Sequence, residues 1–281
     1  MPDQPAGRTT TRRMTVTMAA VVPVLVLLSS LSAAQEKPDE EIPLAPTFIT
    51  EGAVPVTEIE VGFSFEGGFS SSKMPENRTY QFGLTSLQYG WRNTLGVKLV
   101  VPFTIIHPRE DGPSAGGPGD IELLLKYAPI VSAKHLFALG TGVKLTLPSG
   151  SESRGLGGTF AVAPAVFAGK AWKLGDTDLS LQGDAFYSCQ LNDTPDREQR
   201  FSANLTTAAA PLRWLTGLLE LNTVTITEGD HALRGRVQLY LTPGLAVEPA
   251  PGWNVRAGVQ LPVTSAREFD FNFIFLVTKG F

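Results

Sequence analysis

Hydrophobic and polar positions alternate along most of this chain, most clearly in the run 268–281. Phe269, Phe271, Phe273, Phe275 and Phe281 stand at odd positions, and Val277 continues their face. The even face begins with Asp270 and Asn272. A repeat of two means a strand, because successive side chains leave the backbone on opposite sides. In water, a long strand with an aromatic face and an open edge recruits other chains. Closure into a membrane barrel removes the edge and gives the aromatic face lipid to touch. The alternative is a terminal strand in the core of a soluble sandwich.

The alternation recurs from residue 57 onward. The first strand, 58–66, sets Ile59, Val61, Phe63 and Phe65 against Glu58, Glu60, Ser64 and Glu66. The second, 78–88, carries Tyr80, Phe82 and Leu84 on one face. The third, 92–103, points Leu95, Val97, Leu99, Val101 and Phe103 outward and Lys98 inward. The fourth, 120–127, opposes Leu123 and Leu125 to Glu122 and Lys126; the fifth, 135–147, opposes Val143 and Leu145 to Lys144. The seventh, 178–187, brings in Asp178 and Asp184, and the ninth, 214–224, Glu220. The tenth and eleventh add Arg236 and Arg256. Through the terminal run this makes about twelve strands, an even number as bacterial single-chain barrels require. The fold predicted is an all-β transmembrane antiparallel barrel. The inward charges Glu58, Glu60, Glu66, Lys98, Glu122, Lys126, Lys144, Asp178, Asp184, Glu220, Arg236 and Arg256 are expected to line its lumen. Lys98, Lys126 and Lys144, on three consecutive strands, would form a basic stripe.

Connection lengths sort by parity. Those after odd strands, 67–77, 104–119, 148–158, 188–200, 225–235 and 263–269, are long and polar. Those after even strands, 89–91, 128–134, 171–177, 210–213 and 246–252, are shorter. Long loops outside and short turns in the periplasm are the outer-membrane pattern. Trp91, Trp172, Trp214 and Trp253 lie near the short turns, where an aromatic girdle meets the membrane interface. Phe281 is expected to act as an assembly signal for the barrel assembly machinery.

Pro164 falls inside the sixth strand, between Ala161, Ala163 and Ala165. Proline has no N–H and is kept out of central strands. Its place predicts either a β-bulge or a lateral opening from lumen to bilayer beside the small residues. Pro102, Pro148 and Pro262 read as strand-end residues.

The N-terminus reads as an export signal. Arg8, Arg12 and Arg13 precede an apolar run, 18–31, that is broken by Pro23 and short for a bilayer span. Ser32, Ala33 and Ala34 offer a cleavage site, so residues 1–34 are a signal peptide; the alternative is an uncleaved anchor. Residues 35–56 hold Pro38, Pro43, Pro46 and Pro55 beside Glu36, Asp39, Glu40 and Glu41. They form either an extended periplasmic lead-in or a small plug folded into the lumen. The barrel is 57–281.

Composition agrees. The chain has 281 residues, net charge −4 and 43% hydrophobic residues. A barrel needs only half of each strand apolar, so its average looks like that of a soluble protein. The mild acidity argues against a nucleic-acid partner. The lone Cys189 allows no internal disulfide.

Gly117-Pro118-Gly119-Asp120-Ile121-Glu122-Leu123-Leu124-Leu125-Lys126-Tyr127 resembles the G-x-G-D-x-x-L-x-x-K-Y segment of the outer-membrane transporter family associated with phenol degradation, the MetA-pathway family. The run 142–151, with Lys144, Pro148, Ser149 and Gly150, resembles its G-x-K-L-P-T-G-S segment with two residues inserted before the proline. Residues 179–187 are similar to its following strand. Thr50-Glu51-Gly52-Ala53, with 58–62, resembles its N-terminal start. The resemblance implies an exported barrel that passes small molecules.

Catalytic chemistry finds little support. The histidines are His107, His135 and His231, and only His107 has acids close by, Glu110 and Asp111. No Cys/His cluster has zinc spacing, and no cofactor or enzyme activity is expected. The loop acids Asp193, Asp196, Glu198, Glu228 and Asp230 suit either cation bridges to lipopolysaccharide or plain solvated loop charge. Eight strands leave room only for side chains and sixteen give an aqueous pore, with about twelve between them. Two function classes follow for the bacterial outer membrane. One is a passive channel for small solutes, apolar or aromatic ones included. The other is a plugged structural or adhesion barrel that works through its extracellular loops.

Overall fold

The computed structural model describes residues 42–71, 74–108, 114–192, 197–229 and 232–281. The proposed signal peptide, Glu110, Asp111, Asp193, Asp196, Asp230 and His231 lie outside the described residues. In chain order the strands are β1 (Glu58–Ser71), β2 (Met74–Trp91), β3 (Leu95–Pro108), β4 (Ala115–Pro118), β5 (Ile121–Ser132), β6 (Phe137–Leu147), β7 (Ala161–Leu174), β8 (Thr177–Gln190), β9 (Gln199–Leu212), β10 (Leu215–Glu228), β11 (Val237–Ala250), β12 (Trp253–Pro262) and β13 (Phe271–Gly280). Each long strand pairs antiparallel with its neighbours, and β1 closes on β13 from Glu58↔Gly280 to Gly67↔Phe271. Twelve strands therefore form a closed barrel. The short β4 rides on the outer half of β3, pairing Phe103↔Pro118 to Ile106↔Ala115.

The alternation places the apolar face outside. Val97, Leu125, Val166, Leu219, Leu245, Phe271, Phe273 and Phe275 are exposed. Their even neighbours Lys126, Glu220, Ala246, Asn272 and Ile274 are buried. Pairing every edge internally is what lets such strands sit in hydrocarbon. Phe269 departs from the expected lipid-facing series. It precedes β13, is 8% exposed, and stacks on Tyr240 of β11 with ring centroids 4.6 Å apart. The connection 263–270 thus folds inward over the outer mouth.

The periplasmic turns are tight. Arg92 and Asn93 both take positive φ and turn β2 into β3, which carries Trp91 into the strand where the turn was expected. Trp91, Trp172, Trp214 and Trp253 all stand exposed at this end. Arg92 lies over Trp91 at 5.0 Å, Lys279 over Trp253 at 5.6 Å and Lys170 over Trp172 at 5.8 Å. Cations on amphipathic rings suit a headgroup interface.

At the other end much of the expected long loop 67–77 is strand instead, β1 running to Ser71 and β2 starting at Met74. Gly68, at φ 70°, makes a bulge with a register shift between Glu66 and Phe69, so pairing continues around the bend. The connection 148–160 is organised by Asp120, whose carboxylate accepts the N–H groups of Gly150 (2.9 Å), Gly158 (2.8 Å) and Thr159 (2.9 Å). Ser149 Oγ meanwhile accepts Ile121 N–H at 2.8 Å and donates to the Gly119 carbonyl at 3.1 Å. Two of the segments that resembled the transporter family, 117–127 and 142–151, therefore hold one another at the rim.

The seam of the barrel is short of redundancy at its end. Phe281 N–H donates to the Thr57 carbonyl at 3.1 Å, and Gly280 N–H to Gly252 at 2.8 Å. Deleting residues 280–281 removes both bonds and the Glu58↔Gly280 pair. The folded, heat-modifiable gel band should fall several-fold in outer membranes; an unchanged yield would show the terminus dispensable for closure.

Candidate functional site in the lumen

Eleven of the twelve charges expected on the inward parity lie in the wall strands; Arg236 is the exception. It precedes β11, is exposed, and its N–H bonds to Leu233 within the connection 232–236. The strand begins one residue later than alternation alone suggested. Lys126, Asp184, Glu220 and Arg256 are buried, while Glu58, Glu60, Glu66, Lys98, Glu122, Lys144 and Asp178 are partly so. Some pair within the wall. Arg256 Nη2 bonds to Glu60 Oε2, and Arg256 Nη1 donates to Thr278 at 2.9 Å. Lys144 meets Glu122 at 3.4 Å.

Lys98, Lys126, Asp184 and Glu220 are met by residues 42–57, which run inside the barrel. The Glu51 carboxylate takes Lys98 Nζ at 2.9 Å and Lys126 Nζ at 2.8 Å. Lys126 also donates to the Gly52 carbonyl at 2.6 Å and lies 5.3 Å from the Phe167 ring centroid. The Glu220 carboxylate accepts the backbone N–H groups of Phe48, Ile49 (3.0 Å) and Thr50 (3.3 Å). Asp184 accepts Glu51 N–H. Gln182 Nε2 donates to Ala45 carbonyl at 2.6 Å, and Ser180 Oγ accepts Ala45 N–H at 3.2 Å. Each contact satisfies a group that burial would otherwise leave costly.

Burial by itself would raise the Glu51 carboxyl, but the charges and hydrogen bonds of Lys126 and Lys98 overcome it and hold it down at about 2, from 4.5. The basic stripe is therefore split. Lys98 and Lys126 belong to Glu51, and Lys144 to Glu122.

Apolar contacts complete the docking. Ala53, Val54 and Ile42 pack with Leu124, Ala138, Ala165, Phe167 and Phe186. Ala45 and Phe48 pack with Ala208, Leu218 and Ala246. Wall glycines make room: a Cβ on Gly96 would lie 2.7 Å from Pro55, and one on Gly169 2.8 Å from Leu44.

A chain of amides, which charge reading passed over, runs round the wall to Asp184. Asn272 donates to Gln260 (3.3 Å), Gln260 to Asn222 (3.2 Å), Asn222 to Asn204 (3.1 Å) and Asn204 to Asp184 (2.8 Å). A carboxylate only accepts, so Asp184 sets the direction of the whole series. These residues stand at even positions beside the charges, and the same alternation could have found them.

Pro164 is exposed on the outside, and Ala161, Ala163 and Ala165 are buried inside. The β7–β8 ladder pairs Val162↔Cys189 and Ala165↔Phe186 with the two positions between unpaired and no shift of register. Ala165 faces Phe167 and Ala53, so that part of the inner hollow is filled. Pro102 lies mid-strand, because β3 runs on to Pro108, and marks where β3 changes partner from β5 to β4. Pro243 sits at the centre of β11 and interrupts the β11–β12 ladder between Leu241↔Leu261 and Gly244↔Gly258. His107 Nδ1 lies 2.6 Å from Ser114 Oγ.

Glu51→Gln should loosen residues 42–57. It leaves Lys126 buried without its counter-charge, a loss of about 3–5 kcal/mol. The Glu51 carboxyl is depressed on docking, so its contribution is complete above about 4.5 and is lost as pH falls toward 2. Pepsin should therefore begin to cut near Phe48 in the parent protein only as pH drops through this window. In the Glu51→Gln protein it should cut at every pH of the window; equal, pH-independent protection in both would overturn the assignment.

Solved structures with this fold include the COG4313 outer membrane channel from Pseudomonas putida F1, at 14% identity and TM-score 0.60 over 88% of this chain and 100% of that one. The NanC porin matches at 10% identity and TM-score 0.54 over 79% and 98%. The beta domain of the Bordetella autotransporter BrkA matches at 14% identity and TM-score 0.53 over 81% and 100%. At these identities the likeness is one of fold. The sequence model described as "Putative MetA-pathway of phenol degradation" matches residues 33–276, the inner segment and nearly the whole wall together, and the chain belongs to that family.

Proposed function

We propose that the protein is a passive outer-membrane channel for small solutes, apolar and aromatic ones included, and that residues 42–57 are its displaceable occupant. The observation that carries this is how those residues are held. Lys98, Lys126, Glu220 and Asp184 bind them through charge-assisted and backbone hydrogen bonds, with no strand pairing to the wall. Water can replace every such bond once the segment moves. The groups left behind, Lys98, Lys126, Asp184, Glu220 and the amide series, are a polar pore lining. A barrel filled only for strength would be expected to pair its wall charges with one another, as Arg256 and Glu60 do.

Two fold neighbours, an outer membrane channel and a porin, agree with this, as does a closed wall with an apolar exterior. Membrane lipid and the barrel assembly machinery are the partners that location requires. Transport of this kind needs no catalytic residue. A plugged structural barrel is the second reading, which the occupied lumen also fits, and conductance separates the two.

In planar bilayers, the parent protein should show small or infrequent openings. A variant lacking residues 42–56 should conduct at least several-fold more, and Glu51→Gln should open more often. Conductance that stays negligible in both variants would establish the plugged barrel. In the deletion variant Lys98 and Lys126 lose Glu51 and face water. Replacing Lys98, Lys126 and Lys144 by Gln there should shift the reversal potential toward cations; an unmoved potential would mean these lysines do not face the ion path.

A further inference from the structure

Phe48 carries a phenyl ring seated on two glycines of the wall, Gly244 and Gly258. A Cβ added at Gly244 would lie 2.4 Å from the ring, and one at Gly258 2.9 Å, so only glycine leaves room for it at either position. The rest of the seat is apolar, formed by Ala208, Leu218 and Ala246, and is separate from the lumen's other apolar cluster around Phe167. Directly across the wall, on the membrane side, lies an apolar groove. Gly217, Pro243 and Ala257 are among its small residues, Leu219, Leu245 and Val259 among its large ones, and it reaches the backbone of Gly244 and Gly258 themselves. The ring lies on the Gly244↔Gly258 pair, and beside that pair the ladder is interrupted at Pro243, which has no N–H to give β12.

We infer that the seat of Phe48 is the lumen's binding site for the ring of a small apolar aromatic solute, which takes Phe48's place when residues 42–57 withdraw. Apolar cavities of ring size stay dry and take up benzene-like molecules, so the vacated seat has a defined ligand class. Phe48 reports the shape and chemistry of that ligand by occupying its place. Its backbone N–H is held by Glu220, so ring and segment leave together. The groove behind the seat gives the bound ring an apolar neighbour on the bilayer side. The inference rests on the displaceable segment proposed above.

The test keeps the two apart by reading occupancy rather than conduction. Crystals of the Phe48→Ala protein soaked with bromobenzene should show an anomalous bromine peak between Gly244 and Gly258. The parent protein, where Phe48 fills the seat, should show none there. In Phe48→Ala with Gly258→Val the added side chain should occupy the ring's position and abolish the peak. Absence of a peak in the single variant, or a peak confined to the membrane-side groove as an adventitious additive only, would overturn the inference. Should Phe48→Ala fail to fold, crystals of the variant lacking residues 42–56 soaked in the same way should show the peak at Gly244 and Gly258; its absence there would overturn the inference as well.

Discussion

Closing twelve strands leaves an interior too wide for wall side chains to fill and too confined for free hydration of the charges that face it. The ion bridge of Glu51 to Lys98 and Lys126 answers that constraint, and the rest of the lumen is arranged around it. One carboxylate compensates two cations on neighbouring strands. Its own backbone N–H is held by Asp184, and Lys126 reaches on to the Gly52 carbonyl. Thr50 lies beside it against Glu220. Residues 48–52 are thereby fixed at consecutive points, and apolar side chains on either side, Phe48 and Ala53, find their seats as a consequence.

The wall is adapted to this occupant in two ways. Glycines at 96, 169, 244 and 258 remove the side chains that would collide with Pro55, Leu44 and Phe48. Prolines at 164 and 243 remove ladder bonds in the middle of long strands, a loss that lipid cannot make good. The two prolines differ in what faces them. Behind Pro164 lies the cluster of Ala165, Phe167 and Ala53; behind Pro243 lie two bare glycines and one aromatic ring, with a groove outside. Both stretches of wall are thus backed by a side chain of residues 42–57, Ala53 behind the first and Phe48 behind the second.

Much of this was legible in the residues. Alternation in 58–66 or 271–280 has one reading, since a shift of one residue would turn every charge into lipid. It placed Phe271, Phe273 and Phe275 outside and Lys126, Asp184 and Glu220 inside. It erred where strands start and stop. Arg236 kept the inward parity but lies one residue outside β11, and Phe269 kept the outward parity but turns in to stack on Tyr240. Parity is a property of paired backbone and carries no meaning in a loop. The loop expected at 67–77 was likewise a glycine bulge that extends the hairpin. Glu51 had no pattern to betray it, although Thr50-Glu51-Gly52-Ala53 was among the segments resembling the family.

The sequence by itself determined a closed antiparallel barrel, the side of the wall each strand residue faces, and the long-loop end. These follow from local periodicity and from the rule that no backbone group may go unpaired in hydrocarbon. Only the tertiary structure decided that residues 42–57 occupy the lumen, that Glu51 claims Lys98 and Lys126, and that Phe48 sits on Gly244 and Gly258. Those contacts join residues as far apart in the chain as 48 and 258, between a segment with no periodicity and strands whose inward faces meet only when the barrel closes.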